Sequence, residues 1–146
     1  MSTFNEDNTV EQLLISAAKK SGWRYVPASD IPRLHDEVLV IEWLMEALLK
    51  LNPITPEQAE QVNANDRFRK LLFEENSYPF GNDGDNINIR FFDEDMSKNN
   101  CVVTNQWEFP RPSKEGGKRL DLVYLINGIP MVVGETKTVV KPSVTW

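Results

Sequence analysis

Hydrophobic residues recur along this chain with two different periods. In the first half the spacing is helical. Val10, Leu13, Leu14, Ala17 and Ala18 repeat at intervals of three and four, which predicts a helix over 8–21. Asn8 with Glu11, or Thr9 with Gln12, offers a capping pattern at its start, and Gly22 stops it. A turn and a short extended piece follow over 22–26, then a loop over 27–33. Val40, Trp43, Leu44, Ala47 and Leu48 predict a second helix over 36–51, ended by Pro53. Thr55-Pro56-Glu57-Gln58 carries an N-cap and a proline at the first helical position, so a third helix begins there. Ala59, Val62, Phe68, Leu71 and Leu72 extend it to about 75, with a break expected near 63–66.

In the second half the period changes to two. After a turn over 80–85, Ile87, Ile89 and Phe91 alternate with Asn88, Arg90 and Phe92 like the start of a strand. A strand over 101–109 leads into a loop over 110–119. The stretch 120–137 then reads as two apolar strands joined at Asn127-Gly128, interrupted by Asp121, Glu135 and Lys137. A carboxylate withdrawn from water is costly unless it is paired or binds a metal, so charges inside an apolar hairpin require a reason. Glu135 and Lys137 are two apart and project from one side of a strand. Asp121 opens the first strand as Glu135 closes the second. Two hard oxygen donors beside an ammonium suit a divalent cation and an oriented water, which points to a metal-dependent hydrolase. A two-residue Asn-Gly turn would set position 121 opposite 134 and put the two carboxylates on opposite faces. A common face therefore predicts a three-residue loop over 126–128 with Gly128 left-handed.

The length of 146 residues predicts one domain with a sizeable core, and 40% hydrophobic with 26% charged residues is ordinary for a soluble protein. No apolar run approaches the ~20 residues of a membrane span. The acidic, polar N-terminus is not a signal peptide. The lone Cys101 leaves no internal disulfide and suits a reducing cytoplasm. A net charge of −6 works against broad DNA affinity, which comes largely from Lys and Arg on phosphates. Arg111, Lys114, Lys118 and Arg119 form the concentrated basic stretch, either a solvated hairpin tip or a phosphate contact.

Other chemistries find little support. His35 is the sole histidine, which leaves little for histidine-based metal or triad chemistry. Asp83, Asp85, Asp93, Glu94 and Asp95 do not complete a twelve-position calcium loop and read as solvated charges. No Gly-rich loop ending in Lys-Ser/Thr is present to cradle a nucleotide phosphate. Glu11 shares a helix edge with Leu14, Ile15 and Ala18. It either caps the helix on the favourable end of its dipole or leans toward the core.

Arg119-Leu120-Asp121, Asn127-Gly128-Ile129-Pro130 and Glu135-Thr136-Lys137 together resemble the N-terminal nuclease domain of the restriction (R) subunit of type I restriction-modification enzymes, within the PD-(D/E)xK nuclease superfamily. The spacing Asp-x5-Asn-Gly-x-Pro-x4-Glu-x-Lys carries the specificity, since a bare D…ExK recurs by chance. The Glu11–Trp23 stretch and the Val103-x-Asn105-Gln106-Trp107 strand resemble that family too, whereas 36–75 bears no motif. Leu120 stands where the family often has proline and Thr136 where it often has an aliphatic residue.

The resemblance implies an α/β restriction-endonuclease-like core, a mixed sheet flanked by helices, built from about 8–22 and 87–146 and carrying an extra helical arm at about 36–75. It implies that Asp121 and Glu135 ligate Mg2+, that Lys137 lies near the attacking water and scissile phosphate, and that Glu11 approaches from the first helix. The implied reaction is hydrolysis of double-stranded DNA. The implied partners are the methylation and specificity subunits, and ATP is consumed by motor segments of a longer subunit of which this chain is an N-terminal fragment. The alternatives are a non-cutting PD-(D/E)xK-like domain for DNA binding or assembly, and a structural domain in which Asp121, Glu135 and Lys137 form a buried ion pair.

Overall fold

A computed structural model of the chain describes residues 6–63, 70–72, 77–80, 86–109 and 117–136. The chain divides into two units, of which the second takes Leu39–Asn100 and Ile126–Ile129 and the first the remainder.

The first unit is built on a four-stranded sheet in the order β1-β4-β5-β6. It contains α1 (Glu6–Lys20), β1 (Arg24–Tyr25), a 3-10 turn at Ala28–Asp30, β4 (Cys101–Phe109), β5 (Lys118–Ile126) and β6 (Ile129–Gly134). β1 runs parallel to β4, pairing Arg24 with Val102 and Tyr25 with Val103, while the tight turn makes β5 and β6 an antiparallel hairpin. The sheet is therefore mixed, the architecture expected of an α/β restriction-endonuclease-like core. Ile15 and Ala18 of α1 pack on Val103 and Leu122, and the edge of Trp23 meets Tyr124 with ring centroids 5.3 Å apart.

α1 presents a different face from the one its apolar spacing predicts. Glu11, Ile15 and Ala18 form the buried stripe, while Leu13 is 65% exposed and Val10 and Leu14 also face solvent. The rotation follows from polar chemistry. Glu11 finds hydrogen-bond donors on β4, and small Ala18 lets the helix approach the sheet.

The second unit contains α2 (Ile41–Leu51), α3 (Pro56–Asn63) and a two-stranded antiparallel ribbon of β2 (Ser77–Pro79) and β3 (Asn86–Asn88). α2 starts at Ile41 rather than Asp36 because Val40 is held outside the helix: its N–H donates to the Gly128 carbonyl at 2.9 Å. The predicted capping of α3 is reciprocal. Thr55 N–H donates to Gln58 Oε1 at 2.9 Å and Gln58 N–H to Thr55 Oγ1 at 3.2 Å. The expected helix break near 63–66 lies mostly outside the described residues, as does the turn over 81–85. β2 has no counterpart among the predicted elements, and the strand expected over 87–92 ends at Asn88. Beyond it Ile89 and Phe91 are buried against Leu44, Leu48, Ala59 and Val62. Asn52 holds that segment down, accepting from Arg90 N–H at 2.7 Å and donating to the Arg90 carbonyl at 2.8 Å.

The turn between β5 and β6 is the most constrained point of this unit. Asn127 (φ +52°) and Gly128 (φ +79°) are both left-handed, the signature of a two-residue type I′ turn. The predicted three-residue loop is thereby corrected: Ile126 stays in β5 and Ile129 starts β6. Asn127 is 3% exposed, and its side chain is fully engaged. Oδ1 accepts from Asn100 N–H at 2.8 Å, and Nδ2 donates to the Phe91 carbonyl at 2.8 Å and to Asn99 Oδ1 at 3.0 Å. At Gly128 an added Cβ would lie 2.4 Å from the Val40 carbonyl oxygen.

Two substitutions separate these contributions in urea unfolding. Gly128→Ala is expected to cost roughly 3 kcal/mol, from left-handed strain plus collision with backbone. Asn127→Gly keeps the turn conformation and strands its buried partners, at about 2–3 kcal/mol. An unchanged midpoint for Gly128→Ala would contradict the close approach to Val40.

Candidate active site

The two carboxylates of the hairpin are positioned by an irregularity in β6. With Ile126 and Ile129 flanking a two-residue turn, unbroken pairing sets Asp121 opposite Gly134. Instead a Cβ built on Gly134 would lie 3.4 Å from Leu122 Cβ, so position 134 faces Leu122 and not Asp121. Five steps along β6 thus match four along β5, and β6 holds one extra residue, a β-bulge. Beyond Gly134 the chain meets β5 through Thr136, which bonds Asp121, and Glu135, which pairs with Lys118. β6 is the edge strand of the described sheet, where a bulge and Pro130 cost no inner ladder.

Asp121 is half-buried, and its Oδ2 accepts from Thr136 N–H at 2.9 Å and from the Thr136 hydroxyl at 3.3 Å. These two bonds tie the end of β6 to β5 and fix the orientation of the Asp121 carboxylate. Glu135 is exposed, with Oε1 at 3.5 Å from Lys118 Nζ; both side chains are 51% exposed. Lys118 thus belongs to β5 and pairs with Glu135, and Arg119 beside it is exposed. Lys137, Arg111 and Lys114 lie outside the described residues.

Glu11 is held by neutral amides of β4. At 4% exposure its carboxylate accepts from Gln106 Nε2 on Oε1 at 2.7 Å and from Asn105 Nδ2 on Oε2 at 3.3 Å. Tyr25 donates its hydroxyl to Asn105 Oδ1 at 2.7 Å, which fixes which way the amide points. Burial, then the charges of Glu11 and Asp30, push the Tyr25 phenol above its ordinary value, so it stays a donor. Gln106 is the other left-handed non-glycine residue of the described chain, at φ +55°. The sequence signal for this arrangement is two adjacent amides inside an otherwise apolar strand.

Beside Gln106 is a cavity of about 290 Å3 lined by Ala28, Ser29, Arg33, His35 and Glu108. Arg33 is committed to structure there. Nη1 donates to the carbonyls of Leu34, His35 and Glu37 at 3.3, 3.1 and 2.8 Å, Nη2 to that of Glu108 at 2.6 Å, and the guanidinium lies 3.8 Å over the Trp107 ring. His35 Nε2 is 3.4 Å from Glu108 Oε2 at the exposed rim.

Among the described residues no three His, Cys, Asp or Glu side chains gather as a metal-holding group. What the hairpin offers is two hard carboxylates, Asp121 within β5 and Glu135 just past the end of β6. That set fits Mg2+, which commonly takes one or two protein carboxylates and completes its shell with waters and substrate phosphate. No helix among the described residues is long and apolar enough to cross a membrane.

Residues 3–145 match the family model described as type I restriction enzyme R protein N terminus. The chain is 31% identical to the type I restriction enzyme HindI endonuclease subunit of Haemophilus influenzae, over 94% of its own length and 15% of that subunit. It is 28% identical to a Methanocaldococcus jannaschii protein provisionally named type I restriction enzyme MjaIXP endonuclease subunit, over 92% of its own length and 15% of that protein. The chain thus spans about 15% of the length of these relatives. No solved structure matches it. A match that runs from residue 3 to residue 145, and so takes in the α1 carboxylate, the Asn105-Gln106 strand and the whole hairpin, places the chain in the family of type I restriction enzyme R protein N-terminal domains.

Proposed function

We propose that this chain is the DNA-cutting domain of a type I restriction enzyme, hydrolysing phosphodiester bonds of double-stranded DNA with Mg2+ held by Asp121 and Glu135. The observation that supports the reading is the pair of bonds from Thr136, the residue after Glu135, to the Asp121 carboxylate, which ties the chain beside one acid to the other.

Each residue then has a definite task. Thr136 holds Asp121 Oδ2 from two donors and leaves the carboxylate one orientation. Glu135 keeps an exposed carboxylate at the strand end. A bound Mg2+ supplies charge neutralisation at the phosphate and an acidified water. Lys137, two residues beyond Glu135, offsets charge developing on the phosphate. Lys118, an exposed cation already at the site, is the phosphate contact among the four basic residues of the 111–119 stretch. Sequence recognition belongs to methylation and specificity subunits, and ATP to motor segments of the complete cytoplasmic subunit. A non-cutting assembly domain is the competing reading, and the Lys118–Glu135 pair favours it to the extent that this pairing satisfies Glu135 without a metal.

Substitution in the complete subunit separates the two. Asp121→Ala, Glu135→Ala or Lys137→Ala should each lower DNA cleavage by at least about 10^3-fold while ATP hydrolysis continues. Wild-type cutting by all three variants would leave the assembly reading, and joint loss of ATPase would indicate a folding role.

The isolated chain should shift duplex DNA weakly in a low-salt gel and nick it poorly with Mg2+, because its net charge is −6 and nonspecific affinity comes from neutralised phosphates. Tight binding by residues 1–146 alone would show that this domain holds DNA unaided.

A further inference from the structure

We infer that Asn105 and Gln106 are a positioning pair that holds the Glu11 carboxylate for use in DNA cleavage, and that the left-handed backbone of Gln106 exists to place both amides on that one carboxylate. The inference rests on the nuclease reading above.

Three costs converge on this point. A carboxylate 4% exposed is held by two neutral amides, with no ion pair to it among the described residues. An anion kept this way is more expensive than a glutamine or methionine of similar volume would be. Gln106 sits at φ +55°, where a residue with a Cβ is strained by about 1 kcal/mol or more. Finally, β4 loses its alternation there. Neighbouring residues of a regular strand face opposite sides, so Asn105 and Gln106 could not both reach Glu11 without the left-handed step. The conformation thus has an identifiable effect, since it turns two consecutive side chains onto the same pair of oxygens.

The geometry also does more than satisfy a buried group. One donor on each oxygen stops rotation of the carboxylate plane, and each oxygen keeps acceptor capacity unused by the clamp. Tyr25, bonded to Asn105 Oδ1, prevents the amide from flipping to present its oxygen to Glu11. Asn105 acts on Oε2, Gln106 on Oε1 and Tyr25 on Asn105. None of the three carries a charge, so their contribution to cleavage runs through Glu11.

The test is a double-substitution cycle in the assembled enzyme, with melting, ATPase and cleavage rate measured for each variant. Gln106→Gly relieves the left-handed strain but takes a donor from a buried carboxylate, so the two effects oppose and the melting temperature should stay within a few degrees of wild type. Its cleavage rate should fall about 10- to 100-fold with ATPase unchanged. In a Glu11→Gln background the same substitution should add no further loss. Asn105→Ala provides a second, independent variant with the same expected loss of cleavage and unchanged ATPase, at a lower melting temperature because no strain is relieved. A readout without metal or cleavage accompanies these: in the chain labelled with 13C-glutamate, the Glu11 Cδ resonance, assigned through Glu11→Gln, should move in Gln106→Gly in the absence of Mg2+. Wild-type cleavage in Gln106→Gly and Asn105→Ala would overturn the inference, provided that Asp121→Ala abolishes cutting. Undiminished loss in the Glu11→Gln background would overturn it as well. Cutting that survives Asp121→Ala would instead overturn the nuclease reading on which it rests.

Discussion

The hairpin depends on the burial of one asparagine. Asn127 occupies a turn position that demands φ > 0, and its amide satisfies groups from residues 91, 99 and 100. Gly128 beside it approaches the Val40 carbonyl too closely for any other residue, and its own carbonyl takes the Val40 N–H. Asn-Gly is the usual choice for a type I′ turn because both residues tolerate left-handed backbone. Here the pair also sets where α2 begins, since the Val40 N–H is spent on the turn. A turn with its side chain and backbone engaged on every side cannot slide, and a hairpin whose turn cannot slide has one register.

With the turn fixed, the site must be arranged by departures from strand geometry further along. Two occur, and each moves a carboxylate's partners. At the end of β6 Gly134 faces Leu122, and Thr136 beyond it bonds Asp121. In β4 a left-handed glutamine turns two consecutive amides onto Glu11. A regular strand sends alternate side chains to opposite faces, and two polar side chains cannot be gathered from adjacent positions without breaking that rule. Both breaks fall beside ionisable groups, which is where strain is retained when it serves a site.

The parts of this arrangement that were legible in the sequence are those encoded by one residue type at one place. Asn127-Gly128 reads as a turn, Thr55 with Gln58 as a cap, and Asp121 with Glu135 as a charged interruption of apolar strands. The location of the offset was not legible. Parity demands an extra residue between Asp121 and Glu135, and a longer loop satisfies that demand as well as a bulge does. Only packing around Asn127 decides for the bulge. The exposed side of α1 was misread because Val10, Leu13 and Leu14 outweigh Glu11 on any hydrophobic scale, while the helix is rotated to bring Glu11 to two amides. Asn105 and Gln106 carry no charge, so a search for acids and metal ligands passes over them.

The acids also differ in how firmly they are held, and that difference bears on how a hydrolytic centre could be assembled. Glu11 is almost wholly withdrawn from water, and removing either amide would leave a buried anion under-satisfied, so its position is stiff. Asp121 is half-buried and fixed on one oxygen by Thr136. Glu135 is half exposed, and its pairing with Lys118 is of the surface kind that contributes about 0–1 kcal/mol. A pair that weak separates readily when a divalent cation competes for the carboxylate and a phosphate competes for the ammonium. The loose pair is the exposed one, where the proposed cation and DNA would have access. The rigid carboxylate lies in the interior, where reorganisation would be slow and costly. On the proposed nuclease reading, Lys118 would shield Glu135 until a cation replaced it, and the same lysine would then be free to meet a phosphate.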